Sequence, residues 1–270
     1  MTPQVFAILS ALIEERLGLS YALADKELLE NKLAGRVFEL GFETALDYYY
    51  YLRYDDHDGA ELDALTDALV VNETFFFREY VQVHTVLSRV VLPLIEAGLR
   101  PRIWCAACST GEEPATVAMW LAERGLLDSV ELIASDISGA ALAIARAGRY
   151  RARSLRQVPN GVDPARWIET DGGMLIVHAR IRAAMTWHKL NLTDAAAVQQ
   201  LGAVDLVLCR NVLIYFREEV VRRVVGLLAE RLKPNAVLLV GVSESLMRFG
   251  TRLRCEEIDG VFVYRRSAEP

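Results

Sequence analysis

Apolar residues recur at helical spacing through the first 70 positions. Phe6, Leu9, Ile13 and Leu17 form one stripe, and Leu29, Leu33, Val37 and Leu40 form another, with Gly41 as a stop signal. A third apolar run over 45–52 holds four consecutive tyrosines, Tyr48 to Tyr51, which read as helix packing with some rings half exposed. The polar stretch 55–59 reads as a loop, and Leu62, Leu65 and Leu69 predict one more helix. Together these predict a small all-α domain over 1–71. From Val70 the pattern changes to strand-length apolar runs alternating with helical stretches, which predicts an α/β domain over 72–270 with a mostly parallel sheet covered by helices on both faces. The candidate strands are Ile103 to Ala107, Val130 to Ser135, Asp205 to Cys209 and Val237 to Val242. Two last runs, Arg254 to Ile258 and Val261 to Arg265, flank Asp259-Gly260, a strong hairpin signal that ends the sheet in an antiparallel pair. Around 160–188, Asp171-Gly172-Gly173 followed by alternating Leu175, Val177 and Ile181 predicts a small β insertion.

The net charge of −6 sits entirely in residues 1–60, and the remaining 210 residues carry 25 acids and 25 Lys or Arg. The larger domain is therefore near neutral and lacks the basic stripe that a nucleic-acid substrate demands. No 18-residue apolar run and no signal-peptide pattern is present, which predicts a soluble cytoplasmic protein with no direct membrane insertion. Cys105, Cys108, Cys209 and Cys255 are too few and too unevenly spaced for a disulfide framework and read as reduced thiols.

The candidate chemistry centres on Arg102-Ile-Trp-Cys-Ala-Ala-Cys-Ser-Thr-Gly-Glu-Glu-Pro114, where an apolar strand breaks into a small-residue turn and then opens a helix. The next strand ends on Ser135-Asp136, so the turn's backbone N–H groups and the acid share one crevice, as in units that bind nucleoside cofactors. Gly111 is the turn's one glycine, and the G-x-G-x-x-G spacing that receives a pyrophosphate is missing. That favours a phosphate-free nucleoside such as S-adenosylmethionine, with Asp136 accepting hydrogen bonds from its ribose. Asn72-Glu-Thr-Phe-Phe-Phe-Arg78 places polar groups among aromatics, and Arg210 and Asn211 follow an apolar strand where strand ends meet the crevice. The Cys105-x-x-Cys108 pair reads as packing around the turn, because His57, His84, His178 and His188 supply no paired motif for a metal site. Ser243 lacks the flanking glycines of a nucleophile elbow.

Six segments in order resemble the chemotaxis-receptor methyltransferase family (CheR-type). They are Asn72-Glu-Thr-Phe-Phe-Phe-Arg-Glu79, Ser109-Thr-Gly-Glu-Glu-Pro114, Ala134-Ser-Asp-Ile137, Ala145-Arg-Ala-Gly-Arg-Tyr150, Cys209-Arg-Asn-Val-Leu-Ile-Tyr-Phe216, and Leu232-Lys-Pro234 before Val242-Ser-Glu244. The resemblance covers nearly the whole chain. It implies a Rossmann-like S-adenosylmethionine domain behind an all-α substrate-recognition domain. The implied reaction is methyl transfer to receptor glutamates with release of S-adenosylhomocysteine. It also implies that Asn72, Thr74, Arg78, Glu113, Asp136, Asn191, Leu192, Arg210 and Asn211 contact the cofactor and that Tyr215 lies beside the transferred methyl. Tyr215 and Arg78 are then expected to orient the reactants without exchanging protons.

In the family a basic helix of the small domain meets acidic methylation regions of the receptor. The matching helix here mixes Lys26, Lys32 and Arg36 with Glu27, Glu30 and Glu39, which predicts weaker electrostatic steering. The short insertion between Trp167 and Trp187 predicts no tight binding of a receptor tail peptide. Two competing readings stand beside this one. The first is a methyltransferase of a small molecule or non-receptor protein; the second is a cofactor-binding module without turnover.

Overall fold

The computed structural model describes residues 1–266 and divides into two compact units. The first is helical and comprises Met1–Val71 together with Tyr215–Val220. Helix α1 (Pro3–Leu17) is capped by Thr2, whose hydroxyl accepts the Val5 N–H at 3.3 Å, and stops at Gly18 in the left-handed conformation (φ 79°). It buries Phe6, Leu9, Leu12, Ile13 and Leu17 along one stripe. Helix α2 (Lys26–Glu39) buries only Leu29 and Leu33, and Leu40 beyond its end is exposed. Helix α3 (Ala45–Tyr50), capped by Thr44, runs on through a wider turn over Tyr51–Asp55, and α4 (Ala60–Leu69) completes the set. Tyr48 is fully buried, whereas Tyr50 is exposed and stacks on Tyr54.

A polar cluster ties α2, α3 and α4 together. The buried Glu61 carboxylate accepts from the Tyr48 hydroxyl at 2.6 Å and from Arg36 Nε at 2.9 Å, and pairs with a second guanidinium nitrogen of Arg36. Tyr215–Val220 joins this unit through its backbone and the Arg217 side chain. Leu19 and Phe216 form an antiparallel bridge, the Ser20 N–H donates to the Tyr215 carbonyl at 3.0 Å, and Arg217 Nε donates to the Ser20 hydroxyl at 3.0 Å. The segment lies far from residues 1–71 in sequence, so local pattern does not assign it there.

The second unit holds a seven-stranded sheet and a small three-stranded one. Its strands are β1 (Arg102–Ala106), β2 (Glu131–Asp136), β3 (Arg149–Arg151), β4 (Ile168–Asp171), β5 (Met174–Val177), β6 (Met185–Lys189), β7 (Val204–Cys209), β8 (Leu232–Leu239), β9 (Leu253–Ile258) and β10 (Val261–Arg266). The large sheet runs β6-β2-β1-β7-β8-β10-β9. Pairings are parallel from β6 through β8, and β10 runs antiparallel to both β8 and β9. Ile103, Trp104, Cys105 and Ala106 are all buried, and successive strand residues point to opposite faces, so both faces of β1 are covered. Helix α5 (Tyr80–Val86) continues through a wider turn into α6 (Leu92–Glu96) ahead of β1. Helix α7 (Glu112–Ala122) links β1 to β2, and α8 (Gly139–Ala147) follows β2. The short helices α9 (Ala179–Ala183) and α10 (Ala195–Gln200) flank β6 in sequence, and α11 (Glu218–Arg231) precedes β8.

Several expectations change. The small sheet, ordered β3-β5-β4, begins at Arg149, ahead of the expected 160–188 insertion. Only Tyr150 of β3 is buried, which leaves too little apolar signal for a strand to be read from sequence. Ile181 lies in α9, and 185–189 forms β6 of the large sheet, pairing with β2 from Leu132↔Met185 to Asp136↔Lys189. Strand β8 ends at Leu239, so Gly241 and Val242 belong to the loop beyond it.

Candidate cofactor crevice

Every expected cofactor-contacting residue of the α/β unit lies before β1 or at or beyond the carboxyl end of a parallel strand. Glu113 stands in the first turn of α7 after β1, and Asp136 closes β2. Asn191 and Leu192 follow β6, and Arg210 and Asn211 follow β7. The chain proceeds from β1 to β2 on one side and later places β7 on the other, so the strand order reverses beside β1. Open α/β sheets form their ligand crevices at such reversals.

The turn between β1 and α7 is tightly specified. Ala107 (φ 57°), Ser109 (φ 50°) and Gly111 (φ 89°) all adopt the left-handed region. A Cβ on Gly111 would fall 2.7 Å from Ala145 Cβ and 3.0 Å from the Trp187 ring, so its missing side chain serves both conformation and packing. Asp136 fastens the turn to β2. Its Oδ2 accepts the Ser109 N–H at 2.7 Å, its Oδ1 accepts the Ser138 N–H at 2.9 Å, and its carbonyl accepts the Leu190 N–H at 2.8 Å. The Ser109 hydroxyl in turn donates to the Asn72 side chain at 3.0 Å. One residue thereby links the first turn and the end of β2 through its carboxylate and the segment after β6 through its carbonyl.

A second cluster surrounds Arg210, which is buried. Its guanidinium pairs with Glu113 and with Glu79, the latter at 2.9 Å, and donates to the Arg78 carbonyl at 2.9 Å. Burial pushes the Glu113 carboxyl up, and the attraction of Arg210 offsets this only in part. Glu79 is also pushed up by burial. The Arg210 charge, with hydrogen bonds from Arg210, Asn211 and the Val242 N–H, outweighs that and holds its carboxyl below the usual range. Arg210 Nε is a buried donor with no partner among the described residues, which costs about 1–3 kcal/mol unless a ligand acceptor meets it. The Arg78 guanidinium donates to the Glu73 carbonyl at 2.8 Å and is close enough to influence Glu113. Phe77 (φ 62°) and Glu79 (φ 49°) flank Arg78 in the left-handed region, and Phe77 is held by its N–H bond to the Thr116 hydroxyl at 3.1 Å.

Direct bonds thus connect Asn72 with the Asp136 cluster, join Arg78 and Glu113 to Arg210, and link Asn211 to Arg210 through Glu79. Thr74 is half-buried on the Asn72–Arg78 segment, Asn191 folds back to accept from Thr193 at 2.8 and 2.9 Å, and Leu192 is buried. Tyr215 belongs to the helical unit. Glu79 and Glu244 were not singled out in sequence, although both lie inside the family-like segments. The signal that marks Glu244 is a lone acid three residues after a glycine just beyond a strand, in an otherwise small and apolar stretch. Cys105 and Cys108 are buried, and burial pushes both thiols well above the ordinary range, in keeping with a packing role.

These residues suit an adenosyl sulfonium amino acid. Asp136 offers a carboxylate to vicinal hydroxyls, Arg78 a cation to a carboxylate, and Glu113 an anion to an ammonium group. Residues 72–262 match the family model described as the CheR methyltransferase SAM binding domain, and residues 4–70 match the CheR methyltransferase all-alpha domain. Chemotaxis protein methyltransferase 2 of Vibrio cholerae is 34% identical over 243 residues, covering 88% of this chain and 84% of its own. Chemotaxis protein methyltransferase 1 of Pseudomonas aeruginosa is 30% identical over 272 residues, covering 96% and 97%. The chemotaxis protein methyltransferase of Vibrio parahaemolyticus is 39% identical over 193 residues, 68% of each chain.

Proposed function

The chain belongs to the CheR methyltransferase family, and on that premise we propose that it methylates glutamate side chains of a chemoreceptor, with S-adenosylmethionine as its cofactor. The observation that carries this reading is the convergence of the β1 turn, Asp136 and the Arg210–Asn211 pair at the carboxyl ends of the neighbouring strands β1, β2 and β7, inside the matched SAM-binding region.

When bound, S-adenosylmethionine supplies an electrophilic methyl group on a sulfonium sulfur. Asp136 would hold its ribose, Arg78 its carboxylate and Glu113 its ammonium, while Asn72, Thr74, Asn191, Leu192, Arg210 and Asn211 shape the remaining contacts. A substrate glutamate has an ordinary pKa near 4.3 and arrives as the anion, so no side chain of this protein need remove a proton. The protein's task is alignment and exclusion of water, which together can lower the barrier by several kcal/mol. Tyr215 would orient the acceptor carboxylate, and Arg78 would do the same for the cofactor. The near-neutral α/β unit supports a protein acceptor over nucleic acid. Four free thiols suit the reducing cytoplasm in which we place the reaction.

Two of the three basic residues on α2 act inside the helical unit. Lys32 donates to the Leu69 carbonyl and Arg36 is held by Glu61 and Glu39, which supports recognition of the receptor with little help from charge steering. The small β3-β5-β4 sheet is proposed to bind no receptor tail peptide tightly, and calorimetry finding micromolar affinity would overturn that part.

The test of the whole reading is transfer of radiolabelled methyl from S-adenosylmethionine to membranes containing the native receptors. Mild alkali should release the label, as it does from methyl esters. Alkali-stable label, or none on any receptor, would refute glutamate esterification.

A further inference from the structure

Besides Glu79, a second acid outside the expected cofactor contacts organises the crevice. Glu244 is 9% exposed and lies in the loop after β8. Its carboxylate accepts three backbone N–H groups: Asn211 at 2.7 Å and Gly241 at 2.8 Å on Oε2, and Leu213 at 2.8 Å on Oε1. Its own N–H donates to the Gly241 carbonyl at 2.9 Å. The loops after β7 and β8 are thus clamped on one carboxylate.

The residue most affected is Asn211. Its backbone is left-handed (φ 57°), a conformation that asparagine tolerates better than other non-glycine residues and that these contacts hold in place. Glu244 grips the Asn211 N–H, and Glu79 receives the Asn211 side-chain N–H at 3.3 Å and the Val242 N–H at 3.2 Å. Gly241 permits this close assembly. A Cβ there would lie 2.7 Å from Asn211 Nδ2, 2.8 Å from Glu244 Oε2 and 3.0 Å from the Asn211 nitrogen. Both Glu244 oxygens are spent on backbone amides, so its influence on a ligand passes through the residues that it fixes.

The geometry points to Glu244 as a positioning residue for cofactor binding, acting by holding Asn211 at the crevice. This rests on the crevice being the cofactor site, as proposed above. A glutamine at 244 keeps the shape but cannot accept from all three N–H groups: with its oxygen kept on Asn211 and Gly241 its NH₂ faces the Leu213 N–H and pushes the 211–213 turn away, and reversed it faces Asn211 and Gly241 directly.

The test is calorimetric titration of the full chain with S-adenosylhomocysteine, comparing native protein, E244Q, N211G and the double variant. Glycine at 211 removes the side chain while tolerating the left-handed backbone. The expected result is a roughly tenfold weaker Kd for E244Q in the native background and a change under about twofold in the N211G background. Equal losses in both backgrounds would show that Glu244 does not act through Asn211, and native-like affinity in E244Q would also overturn the proposal. Should thermal unfolding show E244Q to be misfolded, Gly241→Ala intrudes on the same amide group and is held to the same comparison. A native chain that fails to bind S-adenosylhomocysteine removes the crevice reading itself. A native chain that binds, with E244Q indistinguishable from it, removes only the role of Glu244.

Discussion

Replacing Asp136 by asparagine separates its two roles, as fastener of the turn and as holder of a ribose. The residue is 6% exposed, and its two oxygens accept backbone N–H groups at 2.7 and 2.9 Å. Asparagine keeps one acceptor oxygen and presents an NH₂ in place of the other, so one buried N–H loses its partner. Leaving such a donor unmet costs about 1–3 kcal/mol. For a unit of this size each kcal/mol lowers Tm by about 2–4 °C, so the expected fall is about 2–12 °C in scanning calorimetry. Loss of a ribose hydrogen bond adds about 1–3 kcal/mol against binding, or about 5-fold to about 150-fold in Kd. Titration with S-adenosylhomocysteine well below the lowered Tm measures the second effect free of the first. A lowered Tm with unchanged Kd would refute the ribose assignment and leave Asp136 as a structural fastener. An unchanged Tm and Kd together would refute the account of the turn as well.

In the helical unit, Glu61→Ala strands the Tyr48 hydroxyl and the inner face of Arg36; because Arg36 keeps Glu39, the expected loss is about 2–4 kcal/mol by urea unfolding, and a loss under about 0.5 kcal/mol would contradict the cluster's role. Burial raises the Cys105, Cys108 and Cys209 thiols well above their ordinary value, so in native protein at pH 8 a thiol reagent should modify Cys255 and spare those three; rapid labelling of Cys108 would be incompatible with its packing. The same shifts give a pH dependence. The folded protein keeps protons that the unfolded thiols release above about pH 8.5, so the thiols' contribution to stability is complete below that pH and lost as pH climbs toward the folded values; a flat or rising Tm from pH 8.5 to 10 would contradict it. Tyr215→Phe should lower kcat without introducing a pH dependence near neutrality, and a new titration in the kcat profile would mean that Tyr215 exchanges protons.

How much of this was legible in sequence depends on how far each signal reaches along the chain. Strands β1, β2 and β7 were found because burial on both faces writes a nearly continuous apolar run into five or six consecutive residues. Strand β6 was not, because Met185-Thr-Trp-His-Lys189 sits at a sheet edge with one pairing partner and only Met185 buried. The turn after β1 and the acid closing β2 were read correctly as neighbours, since parallel pairing of adjacent strands brings them together. The electrostatic frame was a different matter. Arg210 meets Glu113 across 97 residues and Glu79 across 131, and Asn211 meets Glu244 across 33, separations over which no periodicity or spacing carries information. Residue types at the strand ends therefore announced a polar crevice, while the partner of each charge was set only by closure of the sheet. A buried arginine with a single carboxylate would have matched the sequence pattern equally well. The second acid makes the cluster distinctive, because one buried guanidinium is shared between two carboxylates and so fully neutralises neither.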